Sequence, residues 1–210
     1  MVINRKRVQR IMIKKNLKAY GKPKYKKTTN SNHSKSISPN LINQNFTVDE
    51  PNKLLVSDIT YIPTREGWLY LMVVLDCFGR KVKTWSLRST LSKELVTEPV
   101  ASLLKKEKPQ DLIFHSDRGS QYASTALRNI LRHFNVKQSM SGKGNCYDNA
   151  VAESFFKTLK NELSKRIFKT RKEAELEIFE YIEMYYNSER LHSSNNYRTP
   201  NEVYDEFYAA

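Results

Sequence analysis

Cysteine is scarce. The 210 residues contain two, Cys77 and Cys146, with no CxxC pair and no Cys/His spacing of the zinc type. A disulfide framework is thereby excluded, and both residues read as reduced, packed thiols. No run of about 18 apolar residues occurs, so no segment qualifies as a membrane-spanning helix. The basic start is not followed by an apolar stretch, so no secretory signal is expected. Internal repeats and low-complexity tracts are also missing. The expectation is a soluble, cytoplasmic protein with no membrane partner. Hydrophobic residues make up 39% and aromatics 11%, enough for a substantial core.

Acidic residues are absent from positions 1–40, which hold 12 Lys and Arg. The formal net charge is +14, yet the remaining 170 residues hold 24 basic and 22 acidic side chains. The excess therefore sits in one arm. Such arms bind polyanions, most commonly nucleic acid; a solvated, disordered tail is the alternative. Residues 3–20 fit one short helix, with Val8, Ile11, Met12 and Lys15 at helical spacing. Residues 21–46 are rich in Ser, Asn and Lys, interrupted by Gly21, Pro23 and Pro39, and read as a linker.

The pattern changes at Asn52. Leu54 to Ile62 reads as a strand carrying Asp58, and Trp68 to Phe78 as a strand apolar on both faces, hence internal to a sheet. A Pro63–Gly67 turn makes these a hairpin, and Val82 to Leu87 adds a third antiparallel strand. Leu91 to Lys106 suggests a helix that Pro99 should kink or split. A strand over Asp111 to Ser116 follows. Ser124 is placed to cap a helix bearing Leu127, Ile130, Leu131 and Phe134, and Val136 to Met140 is a fifth strand. A long helix starts near Asn149. The last helix opens at the capping box Thr170 to Glu173, with Ala174, Ile178, Ile182 and Tyr185 as its apolar stripe. The order βββαβαβαα gives an α/β fold: a mixed five-stranded sheet, three antiparallel strands and then α/β alternation, flanked by helices in the ribonuclease-H-like manner.

Three carboxylates draw attention. Asp58 lies in the first strand, Asp117 at the tip of the fourth and Glu153 near the start of the long helix. The first and fourth strands of such a sheet can lie side by side, so these acids can meet. Converging carboxylates repel unless a divalent cation binds them, and hard oxygen donors suit Mg²⁺. Thirty-five residues separate Asp117 from Glu153, a spacing of little weight alone among seven Asp and fifteen Glu. The helix adds more: at 100° per residue, Lys157 and Lys160 lie about 40° and about 20° from Glu153, with Val151, Phe155 and Leu159 opposite. A carboxylate beside two lysines suits a metal site next to a phosphate backbone; an ordinary Glu–Lys pair on a wet face is the alternative.

Four segments, "SDITYIPTREGWLYLMVVLD", "HSDRGSQYAS", "SMSGKGNCYDNAVAESFFKTLKNEL" and "YYNSERLHSSNNYRTPNEVY", occur in this order. Together they resemble the integrase core of bacterial insertion-sequence transposases, specifically the second-frame product of insertion sequence family three, over roughly residues 50–205. The shorter "RKRVQRIMIKKNLKA" resembles the end of the helix-turn-helix that precedes that core. The resemblance implies a DDE-type polynucleotidyl transferase that cleaves and joins DNA. Its catalytic and metal-binding residues would be Asp58, Asp117 and Glu153, holding two Mg²⁺ or Mn²⁺ ions, with Lys160 touching DNA near the reacting phosphate. It also implies terminal-repeat and target DNA as partners, a homo-oligomer on DNA, an upstream-frame helix-turn-helix partner or fusion, and a place at the bacterial nucleoid. The corresponding organisation is 1–20 as a remnant helix-turn-helix, 21–48 as a basic linker and 49–210 as the catalytic core. Leu55 and Ser57 stand where the family commonly has Trp and Thr, Leu191 where it has Pro, and Asn195–Asn196 where it has Leu-Gly. A ribonuclease-H-like nuclease and a truncated, non-catalytic DNA-binding regulator are the other readings.

Further candidates have less specific readings. Asp76 is a ligand, a turn anchor or a partner of Arg80. Asp148 caps the long helix or holds its loop, with Asn149. His115 is a packed histidine near the site or a base. Lys143, in the glycine-bearing loop 141–145, and Arg118 are candidate DNA contacts. Arg190, near His192, is structural or a DNA contact, and Tyr185 and Tyr186 pack in core and rim.

Overall fold

The computed structural model describes residues 4–17, 35–142, 146–164 and 167–209. Lys143 and the rest of its loop to Asn145, the thiol of Cys146 and most of the expected linker lie outside these residues. Helix α1 (Arg5–Lys14) comes first, opened by Asn4, whose Oδ1 accepts from the Lys6 amide at 2.8 Å. It buries none of its side chains and exposes Arg5, Lys6, Arg7, Arg10 and Lys14. Strands β1 (Leu54–Thr64), β2 (Gly67–Asp76) and β3 (Val82–Arg88) follow. Then come α2 (Glu94–Glu107), β4 (Ile113–Ser116), α3 (Thr125–His133) and β5 (Lys137–Met140). A short 3-10 turn, Cys146–Asn149, leads into α4 (Ala150–Glu162). Helix α5 (Arg171–Phe179) continues as a π-helical segment, Glu180–Tyr186, and α6 (Pro200–Ala209) ends the chain.

The sheet order is β3-β2-β1-β4-β5. The first three strands pair antiparallel, and β4 joins β1 and β5 in parallel, as the element order requires. Residues alternate between faces with the period of a strand. Leu54, Val56 and Ile62 of β1 and Leu71, Val73 and Leu75 of β2 pack under α4 and α5. Leu55, Met72, Val74 and Phe114 pack under α2 and α3. This two-sided burial explains why β2 is apolar throughout: it is an internal strand with a helical layer on each face.

Local signals explain most element ends. Ser124 Oγ accepts from the Leu127 amide at the start of α3, and Thr170 Oγ1 accepts from the Glu173 amide at 3.0 Å at the start of α5. The β1–β2 hairpin turns tightly through Arg65 and Glu66, with Gly67 at φ +107°.

Four differences from the sequence reading have physical causes. Helix α2 runs unbroken through Pro99, because Leu95, Val96, Val100, Leu103 and Leu104 anchor both sides of it in the core. Tyr185 is 39% exposed and Tyr186 takes its place at 3%. The buried run Ala174, Ile178, Ile182, Tyr186 advances four residues at a time, which a widened π turn keeps on one face. Helix α6 is additional. It opens with its own capping box: Glu202 N donates to Thr199 Oγ1 at 3.2 Å, and Thr199 N donates to Glu202 Oε2 at 2.7 Å. Finally, residues 35–46, part of the stretch read as a linker, are docked along β5. There the Met140 amide donates to Pro39 O at 3.3 Å, and Ile42 is buried in the core. At the opposite margin the Asn187 side-chain amide satisfies both backbone groups of Val82 on β3, at 3.0 Å each.

Candidate active site

The parallel register of β1 and β4 ends on the pair Ser57 and Ser116. Asp58 continues β1 and Asp117 is the first residue past β4, so they stand side by side, about 4.8 Å apart in the backbone. Both are partly buried. Beyond Ser116 the chain leaves the sheet, and this explains why a carboxylate sits at a strand tip: it is held by the sheet yet reached from solvent. Gly119 follows for a specific reason. Its amide donates to Asp117 Oδ1 at 2.8 Å, and a Cβ there would stand 3.0 Å from the same oxygen.

Helix α4 packs across β1 and brings the third acid. Ala152, Phe155, Phe156 and Leu159 are buried in the core, which turns Glu153, Lys157 and Lys160 to the other side, as the helical angles require. Glu153 and Lys157 are exposed, and Lys160 is half-buried. The electrostatics tie the group together. Burial pushes the Asp58 carboxyl well above the usual carboxylate range, and the charges of Asp117 and Glu153 add to that rise. The Ile59 amide, donating to Asp58 Oδ1 at 2.8 Å, and the Lys160 ammonium pull the other way. Partial withdrawal from water raises Glu153 as well. Burial lowers Lys160, while Asp58 opposes that effect. Asp58 thus lies within reach of two like charges and one opposite charge.

Among the described residues, no three His, Cys, Asp or Glu side chains converge closely enough to hold an ion as they stand. The donor set fits a hard divalent ion, being all carboxylate oxygen, with one acid on an exposed helical face able to swing inward.

A hydroxyl pair lies beneath Asp58. Ser57 is fully buried; its Oγ donates to Val73 O at 2.8 Å and stands 2.8 Å from Tyr122 Oη. Since the Ser57 proton goes to Val73, the Tyr122 hydroxyl is the donor of the second bond. Burial and the charges of Asp58 and Asp117 push the Tyr122 phenol well up, so it stays protonated. The sequence reading missed Tyr122, although it lies in the same short motif as Asp117.

The other candidates are placed as follows. His115 is fully buried, with Nδ1 at 2.8 Å from Ser139 Oγ and Nε2 at 3.3 Å from Ser141 Oγ. Burial lowers its pKa, so it is a packed, neutral imidazole. Asp148 holds the loop rather than capping α4: Oδ2 accepts from the Gly142 amide at 2.6 Å and from Asn40 Nδ2 at 3.0 Å. Asp76 anchors a turn and α6, accepting from the amides of Asn52 and Phe78 and from the Tyr204 hydroxyl at 2.5 Å. Arg118 Nε donates to Ser141 O at 2.6 Å. Arg190 clasps Glu162, with Nε 3.1 Å from each carboxylate oxygen, beside the Tyr186 ring. Lys143 lies outside the described residues.

A mixed sheet in this order, with one acid within β1 and another just past the end of the parallel neighbour β4, defines a ribonuclease-H-like catalytic domain of the integrase and transposase type. The HTLV-2 integrase catalytic core domain in complex with magnesium superposes with TM-score 0.55 at 15% identity, covering 75% of this chain and 98% of that one. The family model described as "Integrase core domain" matches residues 48–146, and a second of the same description matches residues 125–200. The transposase for insertion sequence element IS904 of Lactococcus lactis is 47% identical over 205 residues, covering 96% of this chain and 81% of that protein. Transposase InsF for insertion sequence IS3A of Escherichia coli is 38% identical over 192 residues, covering 90% and 67%. The chain belongs to the integrase-core transposases of IS3-type insertion sequences.

Proposed function

We propose that this chain cleaves and rejoins DNA strands at the ends of an insertion sequence, as a DDE-type polynucleotidyl transferase in which Asp58, Asp117 and Glu153 are the metal-holding acids. The observation that carries the reading is the Ser57–Ser116 register, which leaves Asp58 and Asp117 adjacent while α4 brings Glu153 and Lys160 within electrostatic reach of Asp58. Two divalent ions, Mg²⁺ or Mn²⁺, fit the charge and donor type of this set. When bound, they would supply Lewis acidity toward an attacking oxygen and toward a leaving oxygen.

The chain's own residues bind and orient. Asp58 and Asp117, fixed by the sheet, give rigid oxygen donors, and Glu153 completes the set from the helix. Lys160, half-buried beside Asp58, offers positive charge to a phosphate at the reacting position. Lys157, one turn earlier and exposed, meets the DNA backbone farther out. Water first attacks a phosphodiester and frees a 3′-hydroxyl. That hydroxyl then attacks a second phosphodiester, so no bond to the protein forms. His115 is not the base, because both of its ring nitrogens are engaged with serine hydroxyls. The basic helix α1 and the arm that follows add sequence-independent affinity. In this organisation, residues 49–210 form the catalytic core and residues 1–20 the end of a helix-turn-helix. Joining two element ends calls for more than one copy on the DNA, with an upstream-frame helix-turn-helix as a further partner.

The test is Asp117→Asn with labelled terminal-repeat DNA and Mg²⁺. Strand transfer should vanish while DNA affinity stays within about threefold, because the phosphate contacts remain. Undiminished transfer would refute the assignment, and wild-type products that are hydrolysed but never joined would mark a nuclease instead.

A further inference from the structure

Asn40 lies in a stretch whose composition reads as a linker, yet its side chain is fully committed. Oδ1 accepts from the amides of Ile42 and Asn43 at 3.1 Å each, closing a turn that delivers Ile42 to the core. That fixes the amide plane and aims Nδ2 outward, where it donates to Asp148 Oδ2 at 3.0 Å. Asp148 is 2% exposed, and the same oxygen accepts from Gly142 N at 2.6 Å. Asp148 therefore ties the exit of β5 to the turn that begins α4, and Glu153 lies five residues further on.

The segment around Asn40 is itself held to both sides of the site. Leu41 N donates to Ser139 Oγ at 2.9 Å, and Ser38 Oγ donates to Gln138 Oε1 at 3.0 Å. Gln138 Nε2 in turn donates to Tyr122 O at 2.9 Å. Lys35 Nζ reaches Ser120 O at 2.7 Å, on the turn after Asp117.

We propose that Asn40 is a positioning residue: by orienting Asp148 it fixes where α4 starts, and so where Glu153 stands relative to Asp58 and Asp117. The inference rests on the assignment of Glu153 as an acid of the site. Asn40 touches neither DNA nor metal. Its effect passes through the Asp148 carboxylate, whose Oδ2 it shares with the Gly142 amide. Losing a group hydrogen-bonded to a metal ligand typically alters metal affinity or activity by about 10–100-fold; Asn40 acts one step further out, through the start of α4, so its effect belongs at the low end.

The experiment uses the full chain with Asn40→Asp, Asp148→Asn, the double variant, and Ser38→Ala and Glu153→Gln as controls. It reads Mn²⁺ binding by electron paramagnetic resonance, hydrogen exchange at Gly142 and over residues 146–153, melting temperature and strand transfer. Asn40→Asp sets two carboxylates face to face, so exchange over 146–153 should accelerate, and Mn²⁺ affinity and transfer should fall about tenfold. In the double variant the repulsion between two carboxylates is gone, but no single atom at position 148 can both accept from Gly142 N and donate to the carboxylate introduced at position 40, so affinity and transfer should recover only in part. Ser38→Ala, which does not touch Asp148, should leave them unchanged. Full Mn²⁺ affinity in Asn40→Asp, or a double variant that melts like the wild type yet binds Mn²⁺ no better than Asn40→Asp, overturns the proposal. If Glu153→Gln itself transfers strands normally, the assignment of the site fails instead, and the exchange data still report whether Asn40 holds the start of α4.

Discussion

Removing either hydroxyl of the Ser57–Tyr122 pair perturbs the layer directly beneath Asp58. Ser57 is 0% exposed and Tyr122 1%, so neither has water to replace a lost partner. Tyr122 Oη donates to Ser57 Oγ, which passes its own proton to Val73 O. Ser57→Ala therefore strands a buried donor and should cost about 1–3 kcal/mol. Tyr122→Phe leaves Ser57 still bonded to Val73 and should cost about 1 kcal/mol. The double variant removes both ends of the bond, so its cost should be smaller than the sum of the singles by about 1 kcal/mol. Urea unfolding of the four proteins, followed by the fluorescence of Trp68 and Trp85 and by far-ultraviolet circular dichroism, measures all three numbers. For a chain of this size, each kcal/mol also moves the melting temperature by about 2–4 °C. Single costs that add to within about 0.3 kcal/mol would show that the two hydroxyls do not interact, and the layer beneath Asp58 would need another account.

Two further outcomes follow from groups away from the acids. His192 is held down to about 4, first by burial and then by the neighbouring cations Arg190 and Arg80, against an ordinary value of 6.5. The unfolded chain therefore takes up the proton first, and stability complete above pH 6.5 is lost as pH falls toward 4. His192→Gln should flatten that part of the urea-midpoint profile, and an unchanged slope would refute the assignment. Tyr204→Phe removes the α6 hydroxyl from Asp76 and should cost about 1–3 kcal/mol, with faster hydrogen exchange in α6; unaltered exchange would show that the bond does not hold the helix.

Much of this fold can be read from side-chain period. The two-sided apolar run of β2 marks an internal strand, and the stripes of α3 and α4 mark which side they bury. Asp58 and Asp117 are legible as neighbours because element order alone puts their strands in parallel contact. What escaped has little apolar signal. Residues 35–46 are ordered chiefly by side-chain hydrogen bonds to β5 and its neighbours, with Ile42 as their buried anchor, so composition reads them as linker. Helix α6 buries Pro200 and Tyr204, too few for a stripe, although Thr199 to Glu202 carries the same capping signature that marks α5. Tyr185 was misplaced because a 3.6-residue period fails across a π segment. Arg190, read as structural or a DNA contact, is clasped by Glu162, a pairing that no local spacing announces.

The two margins of the sheet bear on how copies of this protein meet. A strand at the rim of a sheet is a template on which another chain can grow a ladder. Here the Pro39 carbonyl occupies Met140 on one rim, and the Asn187 carboxamide, standing in for a missing strand, occupies both groups of Val82 on the other. A chain approaching either rim finds its template already taken at these points.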